Sequence, residues 1–248
     1  MLRFGAMGRL CGTRYERLAR QQGWQRIAGI DEVGRGSLFG PVVAAAVILN
    51  PRRRIVGLDD SKKLTAERRE ELAVRIRVHA LAWAVAEVDA ARIDAWNIYQ
   101  ASRQAMTAAC RALAVVPDYL LIDAMRLEVF CEQKSLIHGD ARSVSIAAAS
   151  ILAKVERDKS MTEWDQVYPQ YGLGSNKGYS TPDHLEALKA FGPTPFHRVS
   201  FAPVRESRCW GVGATQDVLP LDGVEVQAGV EEQAAECGTS ETQGFEVA

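Results

Sequence analysis

Two segments rich in apolar residues stand close together near the start of the chain: Arg26-Ile-Ala-Gly-Ile30 and Pro41-Val-Val-Ala-Ala-Ala-Val-Ile-Leu49. Both are short and bounded by turn residues, so both read as buried strands. Gly34-Arg35-Gly36 lies between them and turns the chain tightly, which predicts an antiparallel pair, 26 to 31 against 41 to 49. Ahead of the pair, residues 12 to 24 pattern as a short polar helix ending at Gly23. Thr65 can cap a helix over 66 to 78, with Arg68, Arg69 and Glu70 outward and Leu72, Val74 and Ile76 along its apolar side. Ala80 to Val88 follows as a third strand.

Further on, Ile93 to Leu113 is an alanine-rich helix and Pro117-Asp118 a turn, and Tyr119-Leu-Leu-Ile122 forms a strand ending at Asp123. Lys134 to His138 is a short strand ending near Asp140, and Val144 to about Lys159 is a helix whose Ala147-Ala-Ala149 run permits close approach to a sheet. Three strands with one inserted helix, then alternating helix and strand, predict an α/β domain with a mixed sheet. No internal repeat interrupts that order.

Composition sharpens the boundaries. With 248 residues and 47% hydrophobic content the chain can bury one sizeable core. Its formal net charge of −1 hides an asymmetry, because residues 206–248 carry nine acids against one base, Arg208. The first 205 positions are therefore basic, with 29 basic and 22 acidic residues, which suits a polyanionic partner. The expected organisation is an N-terminal extension with a short helix (1–24), a folded domain (25–205) and an acidic, disordered tail (206–248). Five cysteines without any C-x-x-C spacing argue against a disulfide framework or a zinc site, and predict a reduced, cytoplasmic protein. No signal-peptide pattern and no run approaching a membrane span is found.

The chemistry lies in the acids. Asp31 and Glu32, Asp123 and Asp140 each stand beside an apolar strand, on three separate segments. Like charges converging at strand ends repel, and hard divalent cations with oxygen ligands would relieve them. Two Mg2+ or Mn2+ ions about 4 Å apart could then hydrolyse a phosphodiester. Taken singly, each acid has another reading: Asp140 could cap a helix, Asp123 could end a strand, and the Asp31-Glu32 pair could be solvated. Gly34-Arg35-Gly36 lacks the fuller G-x-x-x-x-G-K-[ST] phosphate loop, so it is either a glycine turn or a place where a nucleic-acid backbone approaches peptide groups. Ser61, Lys62, Lys63, Lys177 and Arg198 are candidate phosphate contacts. His184 and His197 are expected to pack or cap, since metal-assisted hydrolysis needs neither.

Seven segments in order resemble the ribonuclease HII family. They are Gly29-Ile-Asp-Glu-Val-Gly-Arg-Gly-Ser-Leu-Phe-Gly-Pro-Val-Val43, Leu58-Asp-Asp-Ser-Lys-Lys-Leu64, the helix Asn97 to Met106, Leu121-Ile-Asp123, Gly139 to Asp158, Asn176 to His184 and Phe196-His-Arg-Val-Ser-Phe201. The resemblance implies a ribonuclease H-like fold: a mixed five-stranded sheet flanked by helices, with a small C-terminal helical extension. It implies that Asp31, Glu32, Asp123 and Asp140 are the catalytic, metal-binding acids for Mn2+ or Mg2+, two per site. It also implies that Gly34, Arg35 and Gly36 read a ribose 2′-hydroxyl while Tyr179 stacks on the sugar at an RNA-to-DNA junction.

The implied reaction is endonucleolytic cleavage of the RNA strand of RNA–DNA hybrids. Attack falls 5′ of a ribonucleotide, including single ribonucleotides embedded in duplex DNA, and leaves 5′-phosphate and 3′-hydroxyl ends, as ribonucleotide excision repair requires. The enzyme is expected to act as a monomer and without a membrane. Two departures from the family pattern stand out: Val33 where alanine is usual, and Ala124 where glycine is common. The alternatives are a nucleic-acid-binding protein without catalysis and a DNA-cutting nuclease on the same fold.

Overall fold

The computed structural model describes residues 11–208 and 226–230. In chain order these form α1 (Arg14–Gln21), β1 (Ile27–Val33), β2 (Val42–Leu49), α2 (Ala66–His79), β3 (Ala80–Val88), α3 (Ala90–Trp96), α4 (Ile98–Arg111), β4 (Tyr119–Asp123), β5 (Glu132–Leu136), α5 (Val144–Val167), α6 (Leu173–Asn176), α7 (Pro182–Phe191), α8 (Ala202–Ser207) and β6 (Val226–Val230). Among the described residues one mixed sheet has the strand order β5-β4-β1-β2-β3-β6. β1, β2 and β3 pair antiparallel, whereas β4 runs parallel to both β1 and β5.

Helices cover both faces, and the strands divide accordingly. Along β2, Val42, Ala44, Ala46 and Ile48 join a core with Ala101, Ala105, Met106 and Ala109 of α4. The alternate residues Val43, Ala45 and Val47 pack on the other face with Leu72 and Ile76 of α2 and Ala147, Ala148 and Ile151 of α5. A strand buried on both sides shows no polar alternation, which is why its sequence is one continuous apolar run.

The α5 helix lies very close to β1, and Gly29 makes this possible. A Cβ there would sit 2.0 Å from the Ser145 carbonyl carbon and 2.4 Å from the Ile146 nitrogen, both helix backbone. Gly29→Ala is expected to destabilise the protein by on the order of 3 kcal/mol, because the obstacle is backbone rather than a mobile side chain. Urea unfolding measures this, and a midpoint equal to that of the wild type would contradict the close packing.

Several boundaries differ from the sequence-based expectation. The alanine-rich helix is broken at Asn97, where φ is +73°, and Asn97 caps α4 by accepting from the Gln100 amide at 3.1 Å. α5 continues to Val167 because Met161 is needed in a third core. β5 starts and ends two residues earlier than expected, leaving His138 in the left-handed region. On α2, Val74 is exposed, while Arg69 turns inward to the Ser61 and Leu64 carbonyls, at 3.1 and 2.7 Å.

The expected five strands gain a sixth. Val226–Val230, placed in the acidic tail by composition, pairs antiparallel with β3 from Ala82 to Ala86. Without it β3 would be a sheet edge with unpaired backbone groups, so main-chain pairing recruits the segment whatever the charge around it. The remainder of 209–248 lies outside the described residues. No described helix is long and apolar enough to cross a membrane.

The third core fastens the C-terminal helices to the site. Phe39 is fully buried, with Trp164, Tyr168 and Phe196 around its ring and the His197 ring edge-on at 4.9 Å. Leu173, Leu188 and Val204 complete the cluster. Through Phe39, the turn after β1 is packed against α5 and the helices that follow.

Candidate active site

Register brings the acids together. β1 and β4 are parallel neighbours with Ile30 beside Ile122, so Asp31 and Asp123 each lie one residue beyond an aligned pair. Asp123 is also the last residue of β4 and pairs with Leu136 of β5. Its Oδ1 accepts the Gly139 amide at 2.7 Å, which ties the Gly139–Ala141 turn and therefore Asp140 to the same sheet end. Gly139 has no room for a side chain, because a Cβ would meet Ile146 Cδ1 at 2.6 Å and Asp123 Oδ1 at 3.2 Å. Ala124 has φ +48°, a left-handed conformation that glycine adopts more readily than alanine.

Asp31 and Glu32 leave β1 on opposite faces, as successive strand residues must. Asp31 lies on the α5 side of β1, where Ser150 of α5 favours its charged form. Glu32 is held from the other side by Arg35, Nη1 to Oε1 at 3.3 Å, and its Oε2 is buried without a partner. Among the described residues the acids therefore do not form a closed cage of three or more ligands.

The electrostatics favour such cations. Burial, then the charges of Glu32 and Asp123, raises the Asp31 carboxyl well above the usual carboxylate range. Glu32 is raised by burial although Arg35 opposes it, and Asp140 by burial and then Asp60, opposed by Lys62. The exposed Lys62 ammonium stands 3.7 Å from Asp140 Oδ2. Burial opposes its charge, yet Asp140, Asp60, Asp31 and Asp123 together raise its pKa. Lys62 beside Asp140 and Arg35 beside Glu32 thus stand in for the positive charge this group of acids demands. An oxygen-only donor set suits hard divalent ions such as Mg2+ or Mn2+.

Beside the acids, two buried arginines shape the glycine turn. Arg157 of α5 is fully buried and donates to the Lys177 carbonyl at 2.8 Å, Ser37 Oγ at 2.7 Å, the Phe39 carbonyl at 3.2 Å and the Pro41 carbonyl at 3.3 Å. Its guanidinium also lies 5.5 Å from the Tyr179 ring centre. Gly34, at φ +89°, must be glycine because a Cβ would lie 2.2 Å from Arg157 Nε. Gly36 is different: the nearest atom to a Cβ there would be Tyr179 Cε1 at 4.0 Å, an ordinary contact, so the fold itself does not demand glycine at this position.

Arg198 is not a surface phosphate contact, as its residue type suggested. It is fully buried, donating to the Arg35 carbonyl at 3.0 Å and the Gly40 carbonyl at 2.9 Å, and burial followed by Arg157 lowers its pKa to about 9. Ser61 is likewise buried, with its Oγ 2.9 Å from Ser150 Oγ, so its hydroxyl is turned to α5 rather than to a phosphate. Lys63 pairs with Asp59 at 3.3 Å, and Lys177 Nζ reaches Thr162 Oγ1 at 3.3 Å. His184 and His197 form a buried chain, Nε2 to Nε2 at 3.1 Å, from the Tyr179 carbonyl to Thr194. Burial, then His184, lowers His197 to about 3 and keeps it neutral.

Comparison with known proteins gives the family and the fold. The family model for Ribonuclease HII matches residues 28–204. Ribonuclease HII of Koribacter versatilis (strain Ellin345) is 60% identical over 209 residues, 84% of this chain and 80% of the relative. Ribonuclease HII of Bacillus subtilis (strain 168) is 55% identical over 196 residues, 79% of this chain and 77% of the relative. Among solved structures, ribonuclease H2 from Pyrococcus horikoshii OT3 superimposes with a TM-score of 0.66 at 25% identity, over 74% of this chain and 97% of that one. Bst-RNase HIII in complex with Mn2+ shares the fold with a TM-score of 0.60 at 22% identity, over 77% of this chain and 71% of that one.

Proposed function

The chain belongs to the ribonuclease HII family of metal-dependent ribonuclease H enzymes, and on that premise we propose that it cuts 5′ of a ribonucleotide at RNA-to-DNA junctions and at single ribonucleotides embedded in duplex DNA. The products are 5′-phosphate and 3′-hydroxyl ends. Asp31, Glu32, Asp123 and Asp140 would hold two divalent cations, Mn2+ or Mg2+. When bound, these supply an activated water on one side of the phosphodiester and charge stabilisation for the leaving oxygen on the other. The observation that carries the reading is three neighbouring carboxylates with raised pKa values, Asp31 and Asp140 buried and Glu32 half-buried, opposed by the exposed Lys62 ammonium and the Arg35 guanidinium.

Residues of the chain do the rest. The peptide groups of Gly34, Arg35 and Gly36 would hydrogen-bond the 2′-hydroxyl that separates RNA from DNA. Gly36 and the Tyr179 ring lie side by side, so loop and ring would meet the same sugar. Lys62, freed from Asp140 once cations are bound, together with Lys63 and Lys177, would contact phosphates and position the duplex without reading its sequence. The domain over 25–205 would carry this activity, as a monomer in the cytoplasm.

The test is a nicking assay on a DNA duplex carrying one ribonucleotide. Cleavage is expected only with Mg2+ or Mn2+, and an all-DNA duplex should stay intact. Tyr179→Ala should slow nicking by about 10- to 100-fold, the worth of one lost stacking contact, with Tyr179→Phe close to wild type. Equal cutting of both duplexes, or cutting in chelator, would overturn the proposal.

A further inference from the structure

Segment 11–21 precedes the residues 28–204 matched by the family model, yet it reaches the active-site end of the sheet. The Gly12 carbonyl accepts the Val144 amide at 3.2 Å, and Gly12 forms a parallel bridge with Ser143. Four residues later Glu16 is only 2% exposed. Its Oε1 accepts from Ser143 Oγ at 2.6 Å and from the Ser145 amide at 3.0 Å.

Ser143 is a junction. Its Oγ caps α5 by accepting the Ile146 amide at 3.3 Å, and its own amide donates to the Gly139 carbonyl at 2.8 Å. Gly139 opens the turn whose central residue is Asp140. The Glu16 carboxylate therefore grips the residue that joins α5 to the Asp140 turn.

A neutral serine cap would suffice for α5 alone. Burying a carboxylate costs free energy, offset here by the unpaired amides and positive dipole at the start of a 24-residue helix. The compensation is incomplete, because Glu16 Oε2 is buried with no hydrogen-bond partner. Cys11 marks how near this segment lies to the acids: burial, then Glu16, Asp59 and Asp140, pushes its thiol up to about 12.

We propose that Glu16 is a positioning residue of the metal site: by anchoring Ser143 it fixes the Gly139–Ala141 turn that presents Asp140. This rests on Asp140 being a metal ligand. Loss of such an outer support typically weakens metal affinity by about 10- to 100-fold.

The experiment uses the full chain and two readouts independent of turnover: calorimetric Mn2+ titration, and amide exchange of the metal-free protein. Glu16→Ala should bind Mn2+ about 10-fold more weakly, with faster exchange at Ser143 and Ser145 and unchanged exchange along β2. Glu16→Gln, which keeps an acceptor oxygen, should stay within about 3-fold of wild type. Ser143→Ala removes the hydroxyl Glu16 receives, so it should shift Mn2+ binding as Glu16→Ala does, and it serves if Glu16→Ala does not fold. Wild-type Mn2+ affinity in Glu16→Ala and Ser143→Ala, beside weakened binding in Asp140→Asn, overturns this proposal alone. Unchanged binding in Asp140→Asn overturns the ligand assignment and this proposal with it.

Discussion

Asp31→Asn is expected to lower the cleavage rate at least ~10³-fold, a loss of about 4 kcal/mol of transition-state stabilisation, and at the same time to stabilise the metal-free protein. The two effects share one cause. Asp31 is buried, and burial, Glu32 and Asp123 all raise its carboxyl above the ordinary value of 3.8. An acid whose pKa is higher in the folded than in the unfolded state binds more protons when folded. Its contribution to stability therefore falls as pH rises from the unfolded value through the raised one. Asparagine carries no such charge, so the gain over wild type should widen as pH rises above the ordinary carboxyl value of 3.8, reaching on the order of 1–3 kcal/mol. Added Mn2+ should stabilise the wild type and leave the variant nearly unchanged. Thermal melts at several pH values, with and without Mn2+, and single-turnover nicking make the measurement. A variant that still cuts, or one whose metal-free melting point lies below wild type at all of these pH values, would remove Asp31 from the metal site.

The same physics explains what could be read without coordinates. β1, β2 and β3 were legible because strands buried on both faces leave unbroken apolar runs, and Asp31 and Asp123 because each ends or follows such a run, whereas Asp140 follows the polar, largely exposed β5. Arg157 and Arg198 were not, since arginine belongs on surfaces by residue type, and only the carbonyls of the Gly34–Pro41 turn converging on them reveal that they are interior. Ser61 misled in the reverse sense. It sits in a lysine-rich segment that suggests phosphate, yet its hydroxyl faces Ser150. The break at Asn97 left one faint trace, because asparagine tolerates the left-handed region better than other side chains do. Nothing in the sequence of Val226–Val230 announces a strand, since the unpaired edge of β3 supplies its reason for ordering.

Arg157 is the site's least replaceable residue outside the acids, and Arg157→Ala is expected to cost about 3–5 kcal/mol of stability while ribose discrimination collapses. Four acceptors on two chain segments, the Ser37–Pro41 turn and Lys177, depend on one guanidinium. Removing it takes a donor from each of these buried acceptors, leaving Ser37 Oγ to serve the Phe39 and Lys177 carbonyls, and takes away the cation that lies over the Tyr179 ring. Gly34, whose backbone conformation is shaped to clear this side chain, would then border a void. Lysine cannot substitute, because a single ammonium lacks the planar fork that reaches acceptors in several directions. Arg157→Lys should therefore recover less than half of the lost stability in urea unfolding. In nicking assays both variants should lose more rate on a single-ribonucleotide duplex than on a long RNA–DNA hybrid, where many sugars can present the hydroxyl. Mn2+ affinity should change less than about 3-fold, since the acids stand on β1, β4 and the Gly139–Ala141 turn. Wild-type stability and substrate preference in Arg157→Lys would show that charge alone holds the loop and that the fork geometry is incidental.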